Sequence, residues 1–279
     1  MSVDVEDYFQ VGAFETTIAR EEWDTIPRRV DMATGRVLDL FARKGVKATF
    51  FCLGWVAERH PELIRRIADE GHEVASHGYD HARVTSLTPE SFRADLRKAK
   101  ALLEDAGGTP VIGYRAPSFS IGDANLWALE VLGEEGYLYS SSIYPIQHDH
   151  YGMPGAPRFA FRPDQAPSLT ELPVTTVQVG SKTIPCGGGG YFRLLPYALS
   201  RWAMRRVNRR DNQSCIFYFH PWEVDKDQPR QKDAPLKSRL RHYVNLDKME
   251  AKLARALDDF DWGRVDEVFF GAAADDKAA

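Results

Sequence analysis

The stretch that decides the fold is "KATFFCLGWVAERHPELIRRIADEGHEVASH", residues 47–77. It opens with a β-rich apolar run, and a segment with helical periodicity follows from Pro61, a residue type favoured in a first turn. That segment carries Leu63, Ile64 and Ile67 on one face and stops at Gly71, a good residue just past a helix end. A second β-rich run, "HEVAS", comes next. The order strand, helix, strand predicts one β-α-β unit.

The same alternation continues on both sides of this stretch. The helical pattern "MATGRVLDLFARKG" precedes it, and two helix-to-strand pairs follow: "PESFRADLRKAKALLEDAGG" with "PVIGYRAP", and "DANLWALEVLGEEG" with "YLYSSSIYP". Repeated alternation predicts the α/β class, with a parallel sheet wrapped by helices, open or closed into a barrel. We expect the 279 residues to form a single catalytic domain, because α/β barrels of about 250 residues commonly do so.

Three parts of that domain differ in pattern. Residues 1–145 hold the regular alternation, residues 146–200 form a Pro/Gly-rich excursion that we expect to shape the cleft, and residues 201–270 add the last helices and the strand with His220. "LLPYALSRWAMRRVNRR", residues 194–210, predicts one helix with a basic face. Gly187–Gly190 lack the pattern of a phosphate loop or dinucleotide fingerprint, which favours a mobile or tightly packed turn. "GAAADDKAA" predicts a frayed tail.

Composition excludes several classes of partner. The net charge of −4 is spread without long blocks of one sign, which predicts no binding to nucleic acid. Cys52, Cys186 and Cys215 are scattered and odd in number, so we expect neither a disulfide framework nor a CxxC metal site. The chain has no apolar run of about 18 residues and no leader pattern after Met1. We expect no transmembrane segment and a cytoplasmic location, with peripheral membrane contact as the alternative.

Chemically active residue types gather where the predicted strands end. "SVDVEDYF" supplies Asp4, Glu6 and Asp7, and "SHGYDH" supplies His77 and His81. Histidines four apart can face one point from a tight turn. A carboxylate from a neighbouring strand then completes a two-histidine, one-carboxylate site for a divalent ion.

Two further strand ends carry Arg115, in "GYRAP", and His220, in "FYFHPWE". Each residue alone has a structural explanation: a surface ion pair for Arg115, a core position for His220, and a turn for the histidine pair. Functional groups of parallel α/β proteins collect at the carboxyl ends of their strands. In this chain such residues occur at successive strand ends, which therefore favours one shared site.

These segments carry a family resemblance. In order along the chain, "SVDVED", "SHGYDH", "GYRAPSFS", "GYLYSSSIYP" and "FYFHPWE" resemble the motifs of the NodB-like polysaccharide deacetylases, carbohydrate esterase family four. Within that family the chain is most similar to the subfamily encoded with exopolysaccharide and exosortase systems. The resemblance covers most of residues 1–245. It implies a distorted (β/α) barrel of about seven strands with a C-terminal helical extension, and a metal-dependent hydrolase that removes acetyl groups from N-acetylated sugars.

The resemblance also implies a role for each site residue. Asp4 matches the catalytic base, Arg115 the arginine that positions the base, and His220 the general acid. His77 and His81 match the metal ligands. The implied cofactor is one divalent metal, with zinc favoured and cobalt, nickel or manganese as alternatives.

Two further residues are expected to meet the substrate. By the same resemblance, the backbone N–H of Ser118 would stabilise the oxyanion. Trp222, two residues past His220, is expected to line the cleft, with core packing as the alternative.

The chain departs from the family pattern at two positions. Val5 stands where the metal-binding aspartate usually follows the base, so the ligand must be Glu6 or Asp7; variant members with an acid one residue later favour Glu6. Ser140 stands where relatives often carry an aspartate that orients the acid or the arginine. Either another carboxylate does that work, or the tuning is weaker.

Three functions remain open from the sequence. The first is N-deacetylation of a polysaccharide or its lipid-linked precursor during exopolysaccharide synthesis. The second is hydrolysis of a small amide, a cyclic imide or a formamido sugar at the same site. The third is a catalytically silent carbohydrate-binding scaffold, which has no need of a base, an acid and a metal together. The sequence does not determine the oligomeric state.

Overall fold

The computed structural model describes residues 1–147 and 152–271, so most of the predicted frayed tail lies outside the described residues. Within these ranges the strands are β1 (Ser2–Val5), β2 (Thr49–Cys52), β3 (Glu73–Ser76), β4 (Gly113–Tyr114), β5 (Tyr139–Ser140), β6 (Thr170–Glu171), β7 (Thr176–Val179), β8 (Lys182–Pro185) and β9 (Tyr218–Phe219). In the same ranges the α-helices are α1 (Val30–Lys44), α2 (Gly54–Arg59), α3 (Pro61–Asp69), α4 (Pro89–Gly107), α5 (Trp127–Glu134), α6 (Gly189–Leu194), α7 (Tyr197–Arg206), α8 (Leu236–Tyr243), α9 (Leu246–Asp259) and α10 (Val265–Phe270). None of these described helices is long and apolar enough to cross a membrane.

Seven of the described strands form one parallel sheet in the order β6-β5-β4-β3-β2-β1-β9. Every residue of β1, β2 and β3 is buried, as expected for parallel strands covered on both faces. The sheet curves into a half-barrel with a helical C-terminal part, while β7 and β8 form a separate antiparallel hairpin. This confirms the predicted distorted barrel of about seven strands.

Prolines make one strand and one helix shorter than their apolar patterns predict. The predicted strand "PVIGYRAP" is regular only at Gly113–Tyr114, between Pro110 and Pro117, which have no N–H to donate to a ladder. The predicted helix over residues 194–210 begins later, at Tyr197, and continues beyond α7 as a π-helical segment over Val207–Asp211. Leu195 is extended because it precedes Pro196, so α6 ends at Leu194 and α7 starts after the proline.

An irregular seam joins the two edges of the half-barrel. The N–H of Thr175, just before β7, donates to the carbonyl of Ile216, and its carbonyl accepts from the N–H of Gly187. The carbonyl of Gly187 in turn accepts from the N–H of Tyr218 in β9. The four-glycine run thus begins in a tightly packed position of the seam.

The seam generates a prediction about two glycines of the same run. A β-carbon on Gly187 would lie 2.5 Å from the carbonyl oxygen of Ile216 and 2.9 Å from the backbone nitrogen of Thr175, whereas one on Gly190 meets nothing within 4 Å. We expect Gly187→Ala to lower the free energy of unfolding by roughly 1–3 kcal/mol. Gly190→Ala, inside α6, should leave it unchanged or raise it by up to about 1 kcal/mol. Urea denaturation followed by circular dichroism measures both, and equal effects of the two variants would contradict this packing.

Candidate active site

Four strands deliver one polar side chain each to the same edge of the sheet. The residue immediately after the strand is Glu6 for β1, His77 for β3, Arg115 for β4 and His220 for β9. Asp4, inside β1, adds a second carboxylate. Because parallel strands direct their carboxyl ends to one edge, these side chains converge there.

Glu6, His77 and His81 form a cluster suited to a cation. One ligand atom from each lies within 4.8 Å of the others, and Oε2 of Glu6 is 2.9 Å from Nε2 of His81. The side chains are almost wholly buried, that of His81 being 9% exposed. Two imidazoles and one carboxylate form a donor set typical of a zinc site that keeps a position open for water or substrate.

The protonation state of His77 suits a metal ligand. Its Nδ1–H donates to the backbone carbonyl of Arg115 at 2.8 Å, which leaves Nε2 as the nitrogen with a free lone pair. Burial lowers the pKa of His77 to about 4. The ring is therefore neutral at physiological pH, and neutral imidazole is the form that binds metals.

The loop between the two histidines turns through the left-handed region. Gly78 has a φ of 75° and His81 a φ of 60°. Left-handed backbone costs a residue other than glycine on the order of 1 kcal/mol, and such conformations concentrate at functional sites. The carboxylate of Asp95 in α4 holds the loop by accepting from the N–H of Tyr79 at 3.1 Å.

The structure separates the two acidic residues that the sequence leaves open as ligands. No group among the described residues donates a hydrogen bond to Oε2 of Glu6, although this atom is buried and close to His81. Asp7 instead accepts from the N–H groups of Tyr8 at 2.9 Å, Arg29 at 2.7 Å and Val30 at 3.0 Å. Asp7 thus satisfies free amides at the start of α1 and does not join the cluster. The residues present fit a divalent cation through Glu6, not through Asp7.

Arg115 holds Asp4 in place. Its guanidinium is fully buried and donates to Oδ1 of Asp4 at 2.6 Å and to Oγ of Ser2 at 2.9 Å. Two further bonds go to Ser141, at 3.1 Å to the carbonyl and 2.9 Å to the hydroxyl. Ser140 does not take part, since its hydroxyl donates to that of Ser142. The neighbouring serine, which the sequence did not single out, orients the arginine.

His220 has its own buried support. Its Nδ1–H donates to Oε1 of Glu223 at 2.9 Å, and Oε2 of Glu223 accepts from Nε of Arg193 at 2.6 Å. Nε2 of His220 lies 4.0 Å from Asp4 and 3.5 Å from Glu6. Burial by itself lowers the pKa of His220, but the carboxylates of Glu6 and Glu223 outweigh it and raise this pKa to about 9. The ring is thus an imidazolium at neutral pH.

Glu223 and Arg193 were missed by sequence reasoning. The spacing of "HPWE" contained a usable signal, because an acidic residue three positions after the strand end can bond back to the backbone N–H there. In the structure the N–H of His220 indeed donates to Glu223 at 3.0 Å. Arg193 follows the four-glycine run, and its pattern gave no indication of this contact.

The two predicted substrate residues occupy different settings. Ser118 lines the cavity above the cluster and has a φ of 56°, in the left-handed region. Trp222 also lines the cavity but is only 7% exposed, because it stacks between His220 at 5.0 Å and His242 at 4.1 Å. Its Nε1–H donates to Oε1 of Glu6 at 3.3 Å. Packing against the site residues is thus the main contact of Trp222.

The cluster lies in a cavity of about 1460 Å³. One wall comes from residues 11–16, after β1, and another from residues 230–244, which include α8. From the described part of the 146–200 excursion, Gly190, Tyr191 and Leu194 reach the cavity. The segment 230–244, which the sequence did not mark as a wall, contributes more.

Comparison with known proteins finds matches to two successive parts of the chain. Residues 22–137 match the polysaccharide deacetylase family, and residues 141–270 match a domain of unknown function, DUF3473. The chain carries a polysaccharide deacetylase domain. Its half-barrel agrees with a solved structure from Mycobacterium smegmatis, described as a polysaccharide deacetylase, with a TM-score of 0.62 at 21% identity over 99% of this chain and 90% of the other.

Curated relatives match the deacetylase domain more closely but over shorter lengths. A peptidoglycan-N-acetylglucosamine deacetylase of Bacillus cereus is 35% identical over 98 residues, 35% of this chain and 36% of its own length. A chitooligosaccharide deacetylase of Rhizobium leguminosarum bv. trifolii is 38% identical over 73 residues, 26% of this chain and 34% of its own. The chain thus spans about a third of the length of these relatives.

The placement of Glu6 and Asp7 predicts opposite results for two conservative variants. Glu6→Gln removes the anionic ligand from the cluster, and we expect it to lose stoichiometric zinc binding. Asp7→Asn should keep the zinc but lose stability, because it weakens the acceptor of three backbone amides. Metal content after dialysis, measured by mass spectrometry, checks both. Retention of zinc by Glu6→Gln together with its loss in Asp7→Asn would reverse the assignment.

The support of His220 by Glu223 predicts a shift in titration. Because the charge and hydrogen bond of Glu223 raise the pKa of His220, Glu223→Gln should move that pKa below about 9. As the pH rises, the His220 imidazolium of the variant then loses its proton at a lower pH than that of the wild type. NMR titration of the metal-free protein measures this midpoint, with Glu130→Gln, at an exposed position of α5, as the matched control. An unchanged midpoint in Glu223→Gln would show that Glu223 does not tune the ring.

Proposed function

We propose that this protein is a metal-dependent hydrolase that removes N-acetyl groups from an N-acetylated polysaccharide, or from its lipid-linked precursor, in exopolysaccharide biosynthesis. The observation that carries the proposal is the convergence of three units at one end of an open cavity. These are the Glu6, His77 and His81 cluster, the Asp4 and Arg115 pair, and His220. An N-deacetylase needs a cation site, a base and an acid together.

Glu6, His77 and His81 would hold the cation, for which zinc is the first choice given two nitrogen donors and one carboxylate. When bound, a divalent cation polarises an acetamide carbonyl and lowers the pKa of water, so that attack occurs at neutral pH. The tautomer of His77 is already fixed by the carbonyl of Arg115.

Asp4 acts as the general base. Oδ1 is held by Arg115, so Oδ2 is the oxygen left to accept a proton from the attacking water. The water oxygen bonds to the acetyl carbon as its proton passes to Asp4. The backbone N–H of Ser118, in the turn above the cluster, would donate to the oxygen of the tetrahedral intermediate.

His220 acts as the general acid. Its Nδ1–H is engaged by Glu223, which leaves the Nε2–H, 4.0 Å from Asp4, to protonate the departing nitrogen. The C–N bond then breaks, and acetate and a free amino sugar leave. An amine is a poor leaving group unless it is protonated, so this proton transfer is needed for turnover.

The cavity favours a sugar polymer over a small amide. Its volume of about 1460 Å³ exceeds the roughly 300–1,000 Å³ typical of small-ligand sites. Tyr191 and Tyr218 line it and offer rings on which pyranose faces can pack. The names of the relatives, which refer to N-acetylglucosamine in peptidoglycan and to chitooligosaccharides, support an acetamido sugar. The intact base, acid and cation cluster speaks against a silent scaffold.

Acetate release from chitohexaose tests this proposal. Asp4→Asn should keep zinc, because Asp4 lies outside the metal cluster, and lose turnover by roughly 10²–10⁴-fold through loss of the base. Asp123→Asn, an exposed aspartate outside the cavity, serves as the matched control and should retain the wild-type rate. No acetate release by the zinc-loaded wild type from chitohexaose or any other N-acetylated glycan would remove the deacetylase proposal. A wild-type rate in Asp4→Asn would remove the role of Asp4.

A further inference from the structure

The cavity that contains the candidate site has an unusual charge distribution. Its lining includes five cationic side chains, Arg83, Arg230, Lys232, Arg239 and Arg241. Three carboxylates line the same cavity. Asp4 and Glu6 belong to the catalytic end, which leaves Glu15 as the carboxylate along the rest of the described lining.

Most of these cations have no acidic partner among the described residues. Arg83 pairs with Glu15 at 2.9 Å. Arg230 lies over the ring of Tyr243, 4.3 Å from its centroid, and Arg239 donates to the carbonyl of Lys232 at 3.2 Å. Within residues 1–147 and 152–271, no carboxylate forms an ion pair with Arg230, Lys232, Arg239 or Arg241.

The excess of cations along the cavity contrasts with the acidic composition of the whole chain. The whole sequence has 40 acidic and 36 basic residues. Surface cations of an acidic protein usually find carboxylate neighbours, as Arg59, Arg66 and Arg93 do here. Unpaired cations gathered along one cavity lower the energy of an anion there and attract it from solution.

The cationic wall is fixed relative to the catalytic end. Arg193, which bonds Glu223 behind the general acid, also donates to the carbonyls of Arg241, His242 and Val244 at 3.2, 2.9 and 2.7 Å. One buried guanidinium thus anchors both the acid's support and the backbone of the wall. The end of the wall at residues 241–244 is therefore held in place by the same side chain that supports His220.

We propose that the substrate is an acidic glycan, in which sugars beside the acetamido sugar carry carboxylate or phosphate groups that bind along residues 230–241. The inference rests on the proposed function and adds the charge of the substrate to it. Tyr191, Tyr218 and Tyr243 line the same cavity, so it offers rings on which sugars can stack as well as cations. This combination matches an anionic sugar chain more closely than a flat anionic membrane.

A pair of N-acetylated hexasaccharides tests the charge. Hyaluronan hexasaccharide carries carboxylates between its acetamido sugars, and chitohexaose is neutral. Calorimetry uses the full chain with Asp4→Asn, which prevents turnover. At low salt we expect hyaluronan hexasaccharide to bind at least about fivefold more tightly than chitohexaose. The difference should fall below about twofold near 0.5 M salt, where charge interactions are screened.

Two double variants locate the effect. Lys232→Gln/Arg241→Gln removes two cations whose side chains make no hydrogen bond or ion pair among the described residues, so it should abolish the preference without unfolding the chain. Lys182→Gln/Arg210→Gln removes the same charge outside the cavity and should keep the preference.

Each result decides the inference separately from the proposed function. Equal affinity for the two sugars, no binding of hyaluronan, or loss of the preference in both double variants would overturn the acidic-glycan inference. Binding to phosphatidylglycerol vesicles without a preference for hyaluronan would assign the cations to a membrane surface and overturn it as well. Acetate release from chitohexaose by the wild type tests the proposed function alone, whatever the affinities show.

Discussion

A fully buried guanidinium is the constraint on which the candidate site depends. A guanidinium is charged and carries five N–H donors, so burying it is costly unless acceptors surround it. Asp4, Ser2 and Ser141 accept four hydrogen bonds from Arg115, which ties β1 to the loop after β5. The backbone carbonyl of the same residue fixes the tautomer of His77. One side chain and its own carbonyl therefore determine the geometry of both the proposed base and a proposed metal ligand.

The parts of the site that follow strands could be predicted from the sequence. Glu6, His77, Arg115 and His220 each come directly after a short apolar run, and in a parallel sheet such positions share an edge. The order strand, helix, strand in residues 47–77 was likewise sufficient to predict the α/β class. Local pattern succeeds here because the strand direction, not the detailed packing, brings the residues together.

The remaining parts depend on contacts that no local pattern encodes. Arg193 meets Glu223 from 30 positions away, and meets the carbonyls of residues 241–244 from still further. The choice between Glu6 and Asp7 depends on where the N-terminus of α1 lies, since that helix engages Asp7. The start of α7 at Tyr197 was readable from Pro196, but the apolar period outweighed that signal. Sequence reasoning thus identified the side chains that converge at the candidate site and missed the groups that support them.

The shared anchoring by Arg193 limits how such a protein can acquire a new specificity. Exposed side chains along residues 230–241 can change without breaking the bonds from Arg193, because these go to backbone carbonyls and not to side chains. An insertion or deletion that moved those carbonyls would release Arg193, leave its charge buried and loosen the support of His220. Divergence of substrate range is therefore expected to proceed by replacement of residues at constant loop length, and a segment grafted from a relative must present the same three acceptors.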